Sequence, residues 1–150
     1  MQVDKTDKIL YIVSSLRKEA YSFIETELED NGVKGLSYTH GAILFALYDS
    51  GGVMRLSDIA RIINRKKPTV TVLVDKLEKM RLVKKEKSPS DSRVTMVSIT
   101  EKGKNLNSLF DTIGSRLKSK AFKGIPAKSQ ELLAELLLQM EKNFHDNREE

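Results

Sequence analysis

The sequence contains no cysteine, no tryptophan and only two histidines. Without cysteine, the chain can form neither a disulfide nor a thiol-based redox switch. His40 and His145 lie far apart in the sequence, and a transition-metal site of high affinity needs more nitrogen or sulfur ligands than these two supply. We therefore expect no metal site. We expect His40, near a helix start, to be a surface or phosphate-facing residue.

The sequence also lacks the common motifs of enzymes. It has no P-loop, no glycine-rich dinucleotide fingerprint, and neither an HExxH nor a CxxC pattern. Its acidic residues fall mostly on helix faces that should be solvated, and none suggests a paired acid and base. We therefore expect a protein that is not an enzyme and that uses no cofactor.

Long hydrophobic runs are absent too. No apolar run is long enough to cross a bilayer, and no signal-peptide pattern is present, which predicts a cytoplasmic protein without a membrane partner. A chain of 150 residues is long enough for one domain with a sizeable core. We predict a single domain over residues 1–150 that is mainly α-helical with a minor β component.

Positive charge is concentrated in the middle of the sequence. Between Arg61 and Lys104 there are 13 lysines and arginines against 5 acidic residues, a local charge of +8, whereas the remainder has a charge of −3. Such an electrostatic footprint indicates a polyanionic partner. A basic amphipathic membrane helix would also be positive, but here the charge extends over a turn and a hairpin rather than along one helical stripe.

Residues 56–79 have the pattern of two helices joined by a basic turn. Ser57 can cap the first helix, because its hydroxyl can accept from the unpaired amides of the opening turn. Pro68 suits the first turn of the second helix, where its missing N–H is not needed. Each helix has an apolar face, formed by Leu56, Ile59, Ile62 and Ile63 in the first and by Val70, Leu73, Val74, Leu77 and Met80 in the second.

The other face of the second helix is short, polar and basic at its N-terminal end. Small side chains allow a helix to enter a major groove, where its first residues meet the base edges. Hydroxyls come from Thr69 and Thr71, Val72 can contact a thymine methyl, and Lys76 can reach a guanine or a phosphate. An ordinary solvated helix face would have the same composition, so both interpretations stay open here. The predicted DNA contacts of this region are Arg65, Lys66, Lys67, Pro68, Thr69, Thr71, Val72 and Lys76.

A β-hairpin pattern follows the second helix. Leu82–Lys87 and Val94–Ile99 are β-rich, and the turn-rich cluster between them breaks both helix and strand. Such a wing places a basic tip over a minor groove, whose negative potential attracts arginine. Asp91 would orient Arg93 through a charge-assisted hydrogen bond, and we predict DNA contacts at Ser90, Asp91 and Arg93. The alternative is a surface hairpin with an exposed ion pair, which would stabilise little.

Helical patterns flank this region on both sides. Residues 4–30 and 101–145 carry more apolar positions than a small winged helix needs for its own core, so we expect dimerisation helices that pack against a second copy. Ser37 and Thr100 are predicted helix caps, and residues 53–55 can form a short strand that completes the wing sheet. Two-fold symmetry would set two recognition helices about 34 Å apart over a pseudo-palindrome.

Taken as a set, the motifs resemble those of the MarR family of bacterial and archaeal transcription regulators. They are Leu-Ser-Asp-Ile-Ala (56–60), Pro-Thr-Val-Thr-Val-Leu-Val-Asp-Lys-Leu-Glu (68–78), Leu-Val (82–83), Ser-Asp-Ser-Arg (90–93) and Ser-Ile-Thr-Glu-Lys-Gly (98–103). The resemblance implies a winged helix-turn-helix with the helix-turn-helix over 56–79 and the wing over 82–99. It also implies that the D-x-R wing, here Asp91-Ser92-Arg93, lies in the minor groove and the second helix in the major groove.

One residue departs from the family pattern. Arg81 stands where the family usually has a glycine that closes the recognition helix. A left-handed conformation strains a non-glycine residue by about 1 kcal/mol. We therefore expect the junction between helix and wing to be built differently in this chain.

The resemblance also implies a function. It suggests a homodimeric, sequence-specific regulator that binds double-stranded DNA, most often as a repressor. It also suggests that a small aromatic or anionic ligand causes the regulator to dissociate from its operator. From helix position, the residues that would line such an effector site are Tyr11, Arg17, Tyr21, Tyr38 and His40. The competing hypothesis is a winged-helix interaction module that binds an acidic protein, or DNA without sequence preference.

Overall fold

A computed structural model of the chain describes residues 4–146, so residues 1–3 and 147–150 of the predicted domain lie outside the described residues. The described part is mainly helical with one small sheet, as the sequence predicted. In chain order the elements are α1 (Ile9–Asp30), α2 (Tyr38–Asp49), β1 (Val53–Arg55), α3 (Leu56–Ile62), α4 (Lys67–Lys79), β2 (Val83–Lys87), β3 (Thr95–Ile99), α5 (Glu101–Asn105), α6 (Asn107–Ala121) and α7 (Ala127–Asp146).

The chain divides into two compact units, with the boundary between Gly114 and Ser115 inside α6. The first unit contains the winged helix and its hydrophobic core. The fully buried side chains of that core come from α1, α2, α3, α4, the sheet and the first half of α6, and include Leu28, Ile43, Leu44, Leu47, Ile59, Val70, Val74, Leu77, Val97 and Ile113. The predicted apolar faces of α3 and α4 therefore form much of this core.

Two predictions about α3 are wrong. Ser57 does not cap the helix, because β1 runs directly into α3 and Arg55, with extended backbone, is the residue before its first turn. Ser57 consequently lies inside that turn. Ile62 was assigned to the buried face, but its side chain is 58% exposed. With 3.6 residues per turn, Ile62 lies off the helix face that packs on the core, which is formed by Leu56, Ile59 and Ile63.

The sheet contains three antiparallel strands in the order β1-β3-β2. Val53 lies opposite Ser98 and Lys85 opposite Val97, so β3 is central and the two other strands are edges. The short strand predicted at residues 53–55 is confirmed. Because β2 is an edge strand, the main-chain amides on its outer side need partners from outside the sheet.

The positions predicted for the starts of α2, at Ser37, and of α4, at Pro68, agree with the structure. The predicted cap at Thr100 is also present, and its hydroxyl accepts from the amide of Gly103 at 3.1 Å. Gly103 itself is required by packing, since a Cβ there would lie 2.2 Å from the carbonyl oxygen of Leu82. The helix predicted to continue beyond residue 105 is interrupted at Leu106, so that α5 and α6 are separate.

The two terminal helices lie close to their predicted positions, and the larger difference is at the start of α1. A 3-10 turn, Thr6–Lys8, precedes α1, which therefore begins at Ile9 rather than near residue 4. α7 begins directly after Pro126, whose carbonyl accepts from the amides of Ser129 and Gln130. Among the helices of residues 4–146, none is long and apolar enough to cross a membrane.

Candidate nucleic-acid interface

The turn between α3 and α4 exposes three consecutive basic side chains. Asn64 takes a left-handed conformation with φ of 51°, and the amide of Arg65 donates to the carbonyl of Ala60 at 3.0 Å. This geometry ends α3 and turns the chain into α4. Arg65, Lys66 and Lys67 are all exposed, so the turn presents three cations beside the first residues of α4.

The exposed face of α4 has the small side chains that a groove-reading helix requires. Thr69 is exposed, and Val72 is 69% exposed although it is apolar, which leaves a methyl surface facing solvent. Thr71 is half-buried, and its hydroxyl donates to the carbonyl of Lys67 at 3.0 Å. Thr69 and Val72 are therefore two predicted contact residues of α4 whose side chains are exposed, whereas the Thr71 hydroxyl is engaged within the helix.

Lys76 lies apart from these residues. A Cβ added to Gly35 would lie 3.5 Å from the Lys76 ammonium, so this side chain extends over the loop between α1 and α2. Its charge also acts on His40, at the start of α2. The structure thus brings Lys76 together with the α1–α2 loop rather than with the N-terminal end of α4.

The tip of the wing is held by hydrogen bonds around Asp91. The side chain of Arg93 donates from Nε to Oδ1 and from Nη2 to Oδ2, both at 3.1 Å, and its main-chain amide donates to Oδ1 at 3.0 Å. These bonds lower the pKa of Asp91, and the charge of Arg55 acts in the same direction. The Arg93 side chain remains 89% exposed, so it is oriented without being buried.

Main-chain bonds close the loop beneath this tip. The amide of Ser88 donates to the carbonyl of Val94 at 2.8 Å, and the amide of Val94 donates to the carbonyl of Asp91 at 3.0 Å. The hydroxyl of Ser90, a predicted DNA contact, lies 3.0 Å from that of Ser88. The orientation of Arg93 predicted from the D-x-R motif is therefore present in the structure.

The junction between α4 and the wing corrects the expectation about Arg81. This arginine adopts the left-handed conformation, with φ of 61°. The amide of Leu82 donates to the carbonyl of Leu77 at 3.0 Å and the amide of Arg81 to that of Glu78 at 2.8 Å, which is the bond pattern of a Schellman motif. The junction is thus built as a glycine would build it, because these bonds and the burial of Leu82 outweigh a strain of about 1 kcal/mol.

The beginning of α5 stabilises the same junction. The hydroxyl of Thr100 donates to the carbonyl of Arg81 at 2.6 Å, and the ammonium of Lys102 donates to the carbonyl of Met80 at 2.9 Å. These donors satisfy carbonyl groups that the end of α4 leaves unpaired. The C-terminal end of α4 is therefore fixed by the residues that follow the wing.

Sequence reasoning missed three residues that connect α4 to the wing. Lys85 in β2 contacts Asp75 of α4 through its ammonium, and its main-chain amide donates to the Glu78 carboxylate at 2.8 Å. The hydrogen bond to Asp75 raises the pKa of Lys85. The acidic pair is visible in the sequence as two carboxylates three positions apart on one helix face, but the sequence does not show that a lysine of the wing meets them.

Arg55 is a fourth missed residue. It lies at the end of β1, opposite Met96 of the wing, and its charge contributes to the lowered pKa of Asp91. The predicted strand at residues 53–55 could have indicated the position of Arg55, because pairing that strand with β3 brings its arginine to the wing. Arg55 therefore adds a second cation near the Asp91 carboxylate.

Four of the five predicted effector residues lie on or beside the surface of α1, whereas the fifth, His40, is buried and does not line the groove there. Tyr21 and Tyr38 stack with ring centroids 3.9 Å apart and an interplanar angle of 14°, and the Arg17 guanidinium lies 5.9 Å from the Tyr21 ring centre. Burial and the neighbouring Tyr21 raise the pKa of Tyr38. A groove along α1 is lined by Tyr11, Arg17 and Tyr21, together with Ser14, Ser15, Lys18, Glu19, Ser22 and Glu25.

His40 is not a surface residue, and that expectation is wrong. Its side chain is only 6% exposed, and Nδ1 accepts from the amide of Ser37 at 3.1 Å while lying 2.8 Å from the Ser37 hydroxyl. The imidazole thus completes a capping box at the start of α2, with Ser37 as the cap residue. Burial lowers the pKa of His40, and the Lys76 charge acts in the same direction.

Comparisons with known proteins identify the relatives of this chain. The family model named MarR matches residues 36–95. The HTH-type transcriptional regulator MhqR of Bacillus subtilis (strain 168) is 39% identical over 103 residues, which cover 67% of this chain and 68% of that protein.

Solved structures show the same fold over nearly the whole length. A MarR protein from Peptoclostridium difficile superposes with a TM-score of 0.83 at 20% identity, covering 98% of this chain and 94% of the other. BpsR of Bordetella bronchiseptica, whose structure concerns regulation of DNA binding by 6-hydroxynicotinic acid, superposes with a TM-score of 0.77 at 19% identity, covering 89% and 98%. The chain belongs to the MarR family of winged-helix, DNA-binding transcriptional regulators.

Proposed function

We propose that this protein is a homodimeric repressor that binds a pseudo-palindromic operator. A small aromatic anion would bind the repressor and cause it to dissociate from DNA. The observation that carries this proposal is the pairing of an exposed N-terminal end of α4 with a wing whose Arg93 is oriented by Asp91. The first element is suited to reading a major groove. The second is suited to a minor groove, where an oriented guanidinium meets a negative potential.

The contacts divide by their chemistry. Arg65, Lys66 and Lys67 would neutralise phosphates and thereby position the helix, because backbone contacts carry no sequence information. Thr69 and Val72 would contact base edges through a hydroxyl and a methyl surface. Sequence preference is therefore assigned to the two small side chains of α4, and overall affinity is assigned largely to the cations.

Exposed apolar residues on the terminal helices support the homodimer. In the first unit, the N-terminal half of α1 leaves several large side chains uncovered, including Leu10, which is 58% exposed. In the second unit, α7 exposes a series of leucines, including Leu136 at 54%. Uncovered surface of this kind costs about 25 cal/mol for each Å² left in water, which a second copy would recover on association.

Repression and release follow from the same arrangement. A dimer that covers an operator excludes other proteins from that stretch of DNA. The groove along α1 supplies aromatic rings and the Arg17 guanidinium, which suit an aromatic acid through stacking and charge. The 6-hydroxynicotinic acid named for BpsR belongs to this chemical class.

Selection of genomic fragments by the purified protein tests this function. We expect enrichment of fragments that share a pseudo-palindrome with half-sites one helical turn apart, about 10 base pairs. Binding to a selected fragment should be weakened by an aromatic carboxylate such as nicotinate in the protein with Tyr21 intact, and not in Tyr21→Ala. Equal binding to all fragments would instead favour a non-specific interaction module.

A further inference from the structure

Two acidic residues of α4 bind a lysine of the wing and so connect these two elements directly. None of the three is among the predicted DNA contacts. We propose that Asp75, Glu78 and Lys85 constitute a helix–wing clamp that sets the position of Arg93 relative to α4. These residues would be positioning residues, since none of them needs to touch DNA. The inference rests on the proposed roles of α4 and the wing in DNA binding.

The clamp joins α4 to β2 through both the side chain and the main chain of Lys85. The Lys85 ammonium binds the Asp75 carboxylate and lies 4.0 Å from Glu78 Oε2, while the Lys85 main-chain amide donates to Glu78 Oε1 at 2.8 Å. Lys85 is the half-buried residue in the middle of β2, so these bonds lie in a partly desolvated place. Partial burial makes them stronger than an exposed ion pair of the same length.

The main-chain bond has a specific structural reason. β2 is an edge strand of the sheet, so an amide on its outer side has no strand partner. Glu78 accepts from the amide of Lys85, and the recognition helix thereby takes the place of a fourth strand. The wing is thus connected to α4 by its backbone as well as by a side chain, and this limits the directions in which the hairpin can move.

The neighbouring ion pair on the same strand provides a matched control. Lys84 pairs with Glu86, also on β2, and both side chains are more than half exposed. No bond from Lys84 to α4 is present within residues 4–146. Lys84→Gln and Lys85→Gln remove the same charge from adjacent positions, so they lower the net charge equally, and only Lys85→Gln breaks a contact with α4.

A double-mutant cycle measures whether the clamp positions Arg93. In the otherwise wild-type protein, Arg93→Ala should weaken binding to a selected operator fragment by about ten-fold. In the Lys85→Gln and Asp75→Asn backgrounds the same substitution should weaken binding by less than about three-fold, because an untethered wing already places the guanidinium poorly. In the Lys84→Gln background the full ten-fold effect should remain. Equal effects of Arg93→Ala in all backgrounds would overturn the clamp.

A second measurement without DNA separates the clamp from the proposed function. Amide hydrogen exchange followed by NMR should show a protected Lys85 amide in the wild-type protein, and exchange at this amide should accelerate at least about ten-fold in Glu78→Ala. Thermal unfolding identifies any variant that fails to fold. A Lys85 amide that exchanges equally fast in both proteins would refute the clamp. If the Lys85 amide is protected as expected but Arg93→Ala does not weaken DNA binding, the proposed role of the wing is refuted instead.

Discussion

The Asp91 carboxylate receives three N–H groups of Arg93, two from the guanidinium and one from the main chain, all between 3.0 and 3.1 Å. A guanidinium bound by one carboxylate through Nε and Nη2, the two donors of a single edge, has a fixed direction, although its side chain is almost fully exposed. An unattached arginine would lose about 2 kcal/mol of rotamer entropy on entering a groove. If Arg93 enters a minor groove as proposed, the pair reduces the entropic penalty of DNA binding.

Arg93→Ala should weaken binding to every DNA sequence and reduce the slope of log K against log salt by about one unit, because one cation is lost. Fluorescence anisotropy at several salt concentrations measures both. Arg93→Lys is the matched control, since it keeps the charge but cannot form the two-donor contact with Asp91. It should keep the salt slope and still bind more weakly, whereas unchanged affinity in both variants would exclude the wing from the interface.

Thr69→Ala and Val72→Ala should each change preference at one or two base pairs of the operator, by about 1–3 kcal/mol. Thr71→Ala is the control, because the Thr71 hydroxyl already donates to the Lys67 carbonyl. Binding to a library of operator variants distinguishes the outcomes. A uniform loss across the library for Thr69→Ala and Val72→Ala would argue against base contacts.

The free energy of unfolding should decrease as pH falls below the usual His40 pKa of 6.5. Burial lowers the pKa of this histidine in the folded chain, so the unfolded chain binds the proton first and is favoured as pH falls. The decrease should end once pH is below the folded pKa, where both states are protonated. Above about pH 7.5 both states are neutral, and no effect of His40 is expected.

Chemical denaturation between pH 5 and 8 measures this dependence. His40→Gln should remove the His40 contribution without unfolding α2, since a glutamine at this position completes the same capping box with Ser37. His145→Gln is the control, because His145 is exposed at the end of α7. An identical pH dependence in the wild-type and His40→Gln proteins would contradict the prediction.

Arg81→Gly should raise the free energy of unfolding by up to about 1 kcal/mol, because glycine adopts a left-handed conformation without steric strain. Arg81→Ala should bring no such gain, since alanine has the same strain as arginine at φ of 61°. Urea denaturation of the three proteins provides the comparison. A gain in stability for alanine equal to that for glycine would mean that the backbone conformation is not the cause.

Leu136→Glu on α7 should shift the protein from dimer to monomer at micromolar concentration, because an exposed leucine at a homodimer interface would become a buried charge. Sedimentation velocity measures the association state. Lys142→Glu changes an exposed residue of the same helix and should leave the dimer intact. A wild-type protein that is already monomeric at these concentrations would contradict the proposed dimer.

The sequence was sufficient to predict most of the fold and the position of Arg93. Apolar periodicity located α3 and α4, and the D-x-R spacing alone placed Asp91 within reach of Arg93, because such a contact is local. The contacts of Lys85 with Asp75 and Glu78 are between residues seven to ten positions apart on different elements. Periodicity gives no information about such contacts, which depend on how the hairpin packs against the helix.

The errors in the sequence predictions also have physical causes. Ser57 is a residue type that commonly caps helices, but the preceding strand leads the chain into α3 two residues earlier, with Arg55 at the cap position. His40 is polar and near a helix start, yet packing around α2 buries it and its ring serves as a capping acceptor. Arg81 shows that a strained arginine is tolerated where a Schellman motif and a buried leucine fix the junction. In each case tertiary packing decided between alternatives that the local sequence leaves nearly equal.

A crystal structure of the protein bound to a selected operator duplex tests the central claim most directly. We predict Thr69 and Val72 within contact distance of base edges in the major groove, and Arg93, still paired with Asp91, inside the adjacent minor groove. A complex in which α4 and the wing tip both lie away from the nucleotides would contradict the account.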